Sequence, residues 1–200
     1  MRLGIHGGSF DPVHCAHLAL ARSAQRAAQL DEVWFTPAAV QPLKLGGPHA
    51  TDDQRLAMLH LATADEPSWR ICSSEIDRGG MSYTVDTLRA IHNERPEDEL
   101  FFILGADALA DVANWRDPDE IVRLATLLVA RRADGPRPDF SVLTSLLPAG
   151  ASYHAPRPID MPSMQTSSSA IRRRLAAGQA IDDLVPPAVA AYIAGHNLYH

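Results

Sequence analysis

Residues 7–17 read GGSFDPVHCAH. Their types and spacing suit the binding of an anion. Gly7 and Gly8 follow a short apolar run, Arg2–His6, and glycines there let backbone N–H groups turn toward a bound group. A helix starting near Val13 directs its positive end at the same place. His14 and His17, at i and i+3, share one face of its first turn. Each ring can donate a hydrogen bond to a phosphate oxygen, and a protonated ring adds charge. Other readings are weaker. The glycine spacing of a dinucleotide fingerprint is absent, as is the Gly-Lys-Ser/Thr of a Walker loop. Zinc on His-x-x-His lacks a third ligand nearby. A plain turn with two incidental histidines is the blandest reading, and the strand–Gly–Gly context and the Asp-Pro weigh against it.

A second cluster lies at Thr166–Arg174, TSSSAIRRR. Hydroxyls before a helix cap it or donate to phosphate, and Arg172 falls one turn in. Alone, this string reads better as a capped surface helix with a basic face. Gly79–Leu88, GGMSYTVDTL, places Ser82–Thr84 at a helix start, where free N–H groups suit a carboxylate. Gly105-Ala106-Asp107 follows the apolar run Phe101–Leu104, and Trp115 comes ten residues after Gly105. Taken singly, Trp115 reads as a core aromatic and Asp107 as a helix cap. Lys44 is the chain's one lysine, a point charge able to meet phosphates from a loop or an ordinary solvated side chain. Arg131 and Arg132 end an apolar run, where one of them is placed to meet a phosphate or to solubilise the following loop.

These residues need elements to position them. Strands are expected at Leu3–His6, Glu32–Thr36, Arg70–Ser73, Leu100–Leu104 and Leu127–Ala130, with a weaker one at Pro158–Met161. Helical spacing marks Ala16–Leu30, Thr84–His92, Ala170–Leu175 and Pro186–Ala194. Thr51-Asp52-Asp53-Gln54 and Asp117-Pro118-Asp119-Glu120 read as capping boxes, the second with proline at the first helical position. Pro37–Ala50, Gly135–Pro138 and Ser163–Ser169 read as loops. Strand–helix alternation predicts an α/β fold: a Rossmann-like parallel sheet of five to six strands with helices on both faces. Ligands of such sheets bind at the carboxyl ends of strands, where Gly7–His17, Lys44 and Gly105–Asp107 all fall.

Two hundred residues with 46% hydrophobic content suit a single domain spanning 1–200. A net charge of −6 gives no general attraction to nucleic acid or to an anionic membrane. Two cysteines are too few for a disulfide framework. No run approaches the ~18 apolar residues of a membrane span, and residues 1–6 are too short for a signal-peptide core. The expected location is the cytoplasm.

GGSFDPVHCAH resembles the G-x-F-D-P-x-H-x-x-H signature of the nucleotidyltransferase superfamily of adenylyl- and cytidylyltransferases. Ala16 stands where the pattern usually has glycine. Thr166–Arg172 resembles the second signature, I-S-S-T-x-I-R, with Thr166 for the usual Ile and Ser169 for the usual Thr. SYTVDT, GAD, the Trp115 segment, DQRLAM at 53–58 and the tail Val185–Tyr199 look like those of bacterial nicotinate-nucleotide adenylyltransferases. Leu43 departs from that family's P-H-K, and Lys44 matches it. The resemblance runs in order over nearly the whole chain. It implies ATP binding by Gly7, Gly8, Ser9, Phe10, His14, His17, Gly105, Asp107, Ser168, Ser169 and Arg172. It implies nicotinate mononucleotide binding by Lys44, Tyr83, Thr84, Trp115 and Arg132, with Trp115 stacked on the pyridine ring. Catalysis is expected from His14, His17, Lys44 and Arg172, which supply charge to the departing pyrophosphate, with Mg2+ carried in on ATP and no dedicated metal cage.

The expected reaction is adenylyl transfer from ATP to nicotinate mononucleotide, giving nicotinate adenine dinucleotide and pyrophosphate in NAD biosynthesis. The partners are then small molecules, with neither nucleic acid nor membrane, and a homo-oligomer is an open possibility. Three alternatives stay open at this level: the same chemistry on nicotinamide mononucleotide or phosphopantetheine, a nucleotide-binding regulatory module, and a zinc protein built on His14 and His17.

Overall fold

The computed structural model describes residues 1–42, 47–132, 137–144, 146, 153–164 and 166–200, with only the backbone of 132 and 144. Six strands form one parallel sheet: β1 (Arg2–Gly8), β2 (Glu32–Pro37), β3 (Trp69–Ile71), β4 (Glu99–Gly105), β5 (Thr126–Arg132) and β6 (Arg157–Met161). Their order is β3-β2-β1-β4-β5-β6. Leu3 pairs with Glu32 on one side and Leu100 on the other. The chain builds outward from β1 to β3, then crosses back to place β4 on the other side of β1. The crevice at that reversal opens at the carboxyl ends of β1 and β4.

The helices are α1 (Cys15–Ala28), α2 (Asp52–Thr63), α3 (Ser74–Arg78), α4 (Thr84–Glu94), α5 (Ala106–Asp111), α6 (Pro118–Leu124), α7 (Ser141–Thr144), α8 (Ser168–Ala176) and α9 (Pro187–Gly195), with a short 3-10 turn at Val112–Asn114. The period-2 alternation of the strands sorts the core into two layers. Val33, Phe35, Phe101, Ile103 and Leu128 face α1, α2, α8 and α9. Leu3, Ile5, Leu100, Phe102, Leu104, Leu127 and Val129 face α4 and α6. Helical spacing does the rest: Leu18, Ala21, Ala24 and Ala28 bury one stripe of α1, and Val85, Leu88 and Ile91 one stripe of α4.

The expected architecture is present, with local corrections. α1 stops at Ala28 rather than Leu30, because Gln29 takes a left-handed conformation (φ 50°) and turns Leu30 into the core. β3 begins at Trp69, whose buried ring packs on Phe35. The Thr51 capping box forms: Thr51 N–H donates to Gln54 Oε1 (2.9 Å) and Gln54 N–H to Thr51 Oγ1 (3.3 Å). The box expected at Asp117 does not. Asp117 sits at φ 45° with no side-chain cap bond, because its carboxylate (2.9 Å) and that of Glu120 are both drawn to Arg89 of α4. The short helices α3 and α5 and the 3-10 turn carry too few apolar positions to show a period, and the sequence reading missed them.

Candidate active site

The glycine turn, α1 and α8 meet at the end of β1. The Phe10 ring is buried and folds back over Gly8. A Cβ on Gly8 would lie 3.1–3.3 Å from that ring, a tight approach that only a missing side chain leaves comfortable. Phe10 packs edge-on against His17 (centroids 4.9 Å) and His6 (5.3 Å). Arg55 of α2 is fully buried beneath the turn and donates to the Ser9 carbonyl (2.7 Å) and to Asp52 (2.6 Å). The carbonyl side of the turn is thus occupied by a cation of the protein itself.

His14 caps α1 and His17 lies one turn in, their rings stacked with centroids 3.6 Å apart. The His14 backbone N–H donates to His17 Nδ1 (3.2 Å). An accepting Nδ1 leaves the ring's proton on Nε2, so His17 is oriented as a neutral Nε2–H donor. Burial lowers the His14 pKa to about 4. The charge expected from protonation of that ring is therefore missing near pH 7, and its contribution is that of a hydrogen-bonding imidazole.

Asp11 is a buried hub. Its Oδ2 accepts from the His49 N–H (2.8 Å), and its Oδ1 from the Ala50 N–H (3.0 Å) and the Tyr199 hydroxyl (2.8 Å). Arg172 Nη1 lies 3.5 Å from Oδ2 and donates to the Asp11 carbonyl (2.6 Å). Burial opposes the charge of this carboxylate, yet these donors together hold its pKa below the usual range. α8 docks on the same loop: Ser167 caps it by accepting from Ala170 N–H (3.2 Å), and Ser168 Oγ donates to the Pro12 carbonyl (2.9 Å). Two segments joined by bonds spanning 156 and 161 positions of sequence form one surface.

Two cavities adjoin along the crevice. The first, about 390 Å3, is lined by Ser9, Asp11, His14, His17, Gln41, Gly105, Asp107, Thr166–Ser169 and Arg172. The second, about 440 Å3, is lined by Gly7, Gly8, Phe10, Glu75, Tyr83, Thr84, Phe102, Asp111, Asn114, Trp115 and Arg116, among others. Ser9, His17, Ala38, Gln41, Gly105 and Ser168 border both. Gly7, Gly8 and Phe10, expected to face ATP, thus border the second cavity and not the first, and the Phe10 side chain belongs to the core.

Trp115 stands edge-on to Phe102 (5.9 Å, 88°), and Arg116 lies 4.8 Å above the Tyr83 ring. Tyr83 caps α4 and Thr84 is its first residue, so the start of the helix borders this cavity. Gly79 and Gly80, both at positive φ near 70°, make the turn that brings α4 here. The turn is pinned by Ser82 N–H to the Val40 carbonyl and Ala39 N–H to Ser82 Oγ, both 2.9 Å. Ser82 is thereby committed to the fold.

Lys44 and Leu43 lie outside the described residues, as does the Arg132 side chain. Arg131 pairs with Asp160 across the sheet edge (2.7 Å). Sequence reasoning missed Asp11, Arg55, Tyr199 and the polar residues of the second cavity, Glu75, Asp111, Asn114 and Arg116. A signal existed for Arg55, a charge on the same helical stripe as Met58 and Leu59. For Tyr199 there was none beyond its place in the tail.

Among the described residues, no group of three or more His, Cys, Asp and Glu is arranged to hold a metal ion, and no helix is long and apolar enough to cross a membrane. The cytidylyltransferase-like family model matches residues 5–174. A Roseiflexus sp. protein named Probable nicotinate-nucleotide adenylyltransferase is 44% identical over 197 residues, 98% of this chain and 97% of its own. A Thermus thermophilus protein of the same name is 42% identical over 199 residues, the full length of both. The Plasmodium falciparum nicotinic acid mononucleotide adenylyltransferase, solved in complex with NaAD, shares the fold with a TM-score of 0.78 at 22% identity, covering 99% of this chain and 97% of that one. On these grounds the chain belongs to the cytidylyltransferase-like family and, within it, to the nicotinate-nucleotide adenylyltransferases.

Proposed function

We propose that this chain, acting as one domain in the cytoplasm, transfers the adenylyl group of ATP to nicotinate mononucleotide, releasing pyrophosphate and nicotinate adenine dinucleotide. The observation that carries the reading is the pair of cavities bordering on His17, Gly105 and Ser168. Joining two nucleotides requires two nucleotide sites that meet at the reacting phosphates. The first cavity has imidazoles, hydroxyls and a guanidinium for a triphosphate, with Asp107 at its exposed edge placed for a ribose. The second has Trp115 to stack on a pyridine ring and the start of α4, at Tyr83-Thr84, for its carboxylate.

A phosphate oxygen of the mononucleotide attacks the α-phosphorus of ATP in line. The new P–O bond forms as the bond to the β-phosphate oxygen breaks, and pyrophosphate leaves with the electron pair. The attacking phosphate is already anionic near neutral pH, so no strong general base is needed. Catalysis is positioning plus stabilisation of charge on the leaving group. His17 donates from Nε2, His14 from its neutral ring, and Arg172 and the Ser169 hydroxyl bind the outer phosphates, while the Ser168 proton is held by the Pro12 carbonyl; Lys44 supplies a further point charge. Asp11 is committed to N–H and O–H donors of the chain, so a Mg2+ ion arriving on ATP would be held mainly by phosphate oxygens and water and would neutralise part of the triphosphate charge.

Pyrophosphate release with ATP and a panel of mononucleotides tests this reading. The acid mononucleotide is expected to give the highest kcat/KM, because N–H donors match a carboxylate. A preference for the amide or for phosphopantetheine would reassign the acceptor. ATP binding with no pyrophosphate release would favour a regulatory module, and stoichiometric zinc in the purified protein would favour the metal reading.

A further inference from the structure

The last turn of the chain reaches the ATP side of the site. Leu198 is buried, its N–H bonds the Ile193 carbonyl (3.1 Å), and positive φ at Asn197 (51°) and Tyr199 (67°) curl the tail inward. The Tyr199 hydroxyl then donates to Asp11 Oδ1 at 2.8 Å, bridging 188 positions of sequence. Burial and the adjacent carboxylate push the phenol pKa well up, so it is a neutral donor at any physiological pH.

Asp11 faces Arg172, and an Arg held tightly by its own carboxylate is a poor ligand for a phosphate. A close charge-assisted bond measures roughly 2.7–2.9 Å. Arg172 Nη1 is 3.5 Å from Oδ2, its shortest bond goes to the Asp11 carbonyl (2.6 Å), and Nη2 reaches Ser169 Oγ at 3.4 Å. The carboxylate is satisfied elsewhere, by two backbone N–H groups and the phenol, with the His49 ring 3.4 Å away. We propose that Tyr199 is a positioning residue for the transfer reaction: by occupying Asp11 with a neutral donor it keeps the Arg172 guanidinium available to the phosphates of ATP. Without the hydroxyl, Oδ1 loses one of its two donors, and the Arg172 guanidinium, 3.5 Å from the other oxygen of the same carboxylate, is the charged donor beside it. The guanidinium is drawn closer to the carboxylate and is less free to meet a phosphate. This inference rests on the reading of Arg172 as a triphosphate ligand.

The test compares wild type, Tyr199→Phe, Arg172→Ala and the double variant. Steady-state kinetics are measured for wild type and Tyr199→Phe, and the affinity for α,β-methylene-ATP for all four. Tyr199→Phe is expected to raise KM for ATP and Kd for the analogue about three- to tenfold, the size of one lost hydrogen bond, while KM for the mononucleotide stays within about twofold. In the Arg172→Ala background the same change is expected to leave Kd unaltered, because its effect runs through Arg172. Equal weakening in both backgrounds overturns the proposal, since the hydroxyl then acts independently of Arg172. An unchanged KM and Kd in Tyr199→Phe overturns it as well. A lowered melting temperature with wild-type affinity does the same, reducing the hydroxyl to a purely structural bond. A wild type that neither binds the analogue nor releases pyrophosphate takes down the functional reading and this inference together.

Discussion

At the scale of single residues, the site depends on orientation more than on charge. The His14 N–H fixes which nitrogen of His17 carries the proton, so His17→Ala removes an oriented donor together with a ring packed on Phe10 and His14. Turnover is expected to fall about a hundredfold or more, in line with loss of one preorganised donor, in a chain that stays folded at a somewhat lower melting temperature; near-normal turnover would remove His17 from the mechanism. Gly8→Ala would press on a Phe10 ring enclosed by His6, His17 and Phe35. A cost of about 1–3 kcal/mol is expected from such overpacking, read in urea melts. His6 and His14 are both buried and both lowered by that burial to pKa about 4. The folded state therefore favours the neutral rings. Their stabilisation is complete above the unfolded imidazole value of about 6.5, and it is lost as pH falls from there through 4. Each ring forfeits on the order of 2 kcal/mol by pH 5. His6→Phe keeps an aromatic ring among aromatic neighbours and removes one titration. The stability difference between pH 7.5 and pH 5 should shrink by that amount, and an unchanged difference would show that His6 does not titrate in this window.

At the scale of elements, the helices that matter are tied down by specific bonds at their ends. α2 begins in the Thr51 capping box and presents Arg55 to the Ser9 carbonyl, so its start supports the glycine turn. Thr51→Ala is expected to cost about 1 kcal/mol, or roughly 2–4 °C in melting temperature for a chain of this size. Activity at 25 °C should be unaffected, since Thr51 touches neither cavity. The α4–α6 pair shows the opposite outcome of a local signal. Asp117 and Glu120 have the spacing of a capping box, but Arg89 lies across the interface and takes both carboxylates. Two opposed charges on packed helices outcompete a bond within one helix, and no local pattern can reveal that.

At the scale of the whole molecule, one parallel sheet brings the ends of β1 and β4 together, with the carboxyl-end loops on either side supplying the two cavities. Binding that draws on both halves should stabilise the folded chain as a unit. A hundredfold excess of α,β-methylene-ATP over its Kd is expected to add about 2.7 kcal/mol, roughly 5–10 °C in melting temperature. A flat melting temperature at that excess would contradict binding to the folded state.

Much of this was legible from residue types alone. Strand and helix positions follow from hydrophobic period, and the parallel sheet follows from their alternation, because both are local consequences of burying an apolar stripe. The glycine turn, the two histidines and the serine–arginine string announced themselves because phosphate binding draws on few residue types at fixed short spacing. What the sequence could not determine was who meets whom over long separations. Asp11, Arg55 and Tyr199 lie in segments the sequence reading noticed, but nothing in their spacing joins them to one another. Only the packing of α2, α8 and the last turn around the end of β1 makes them a buried network. The neutrality of His14 is of the same kind: an imidazole's charge is set by the low-dielectric surroundings that tertiary structure builds around it, and no spacing encodes those.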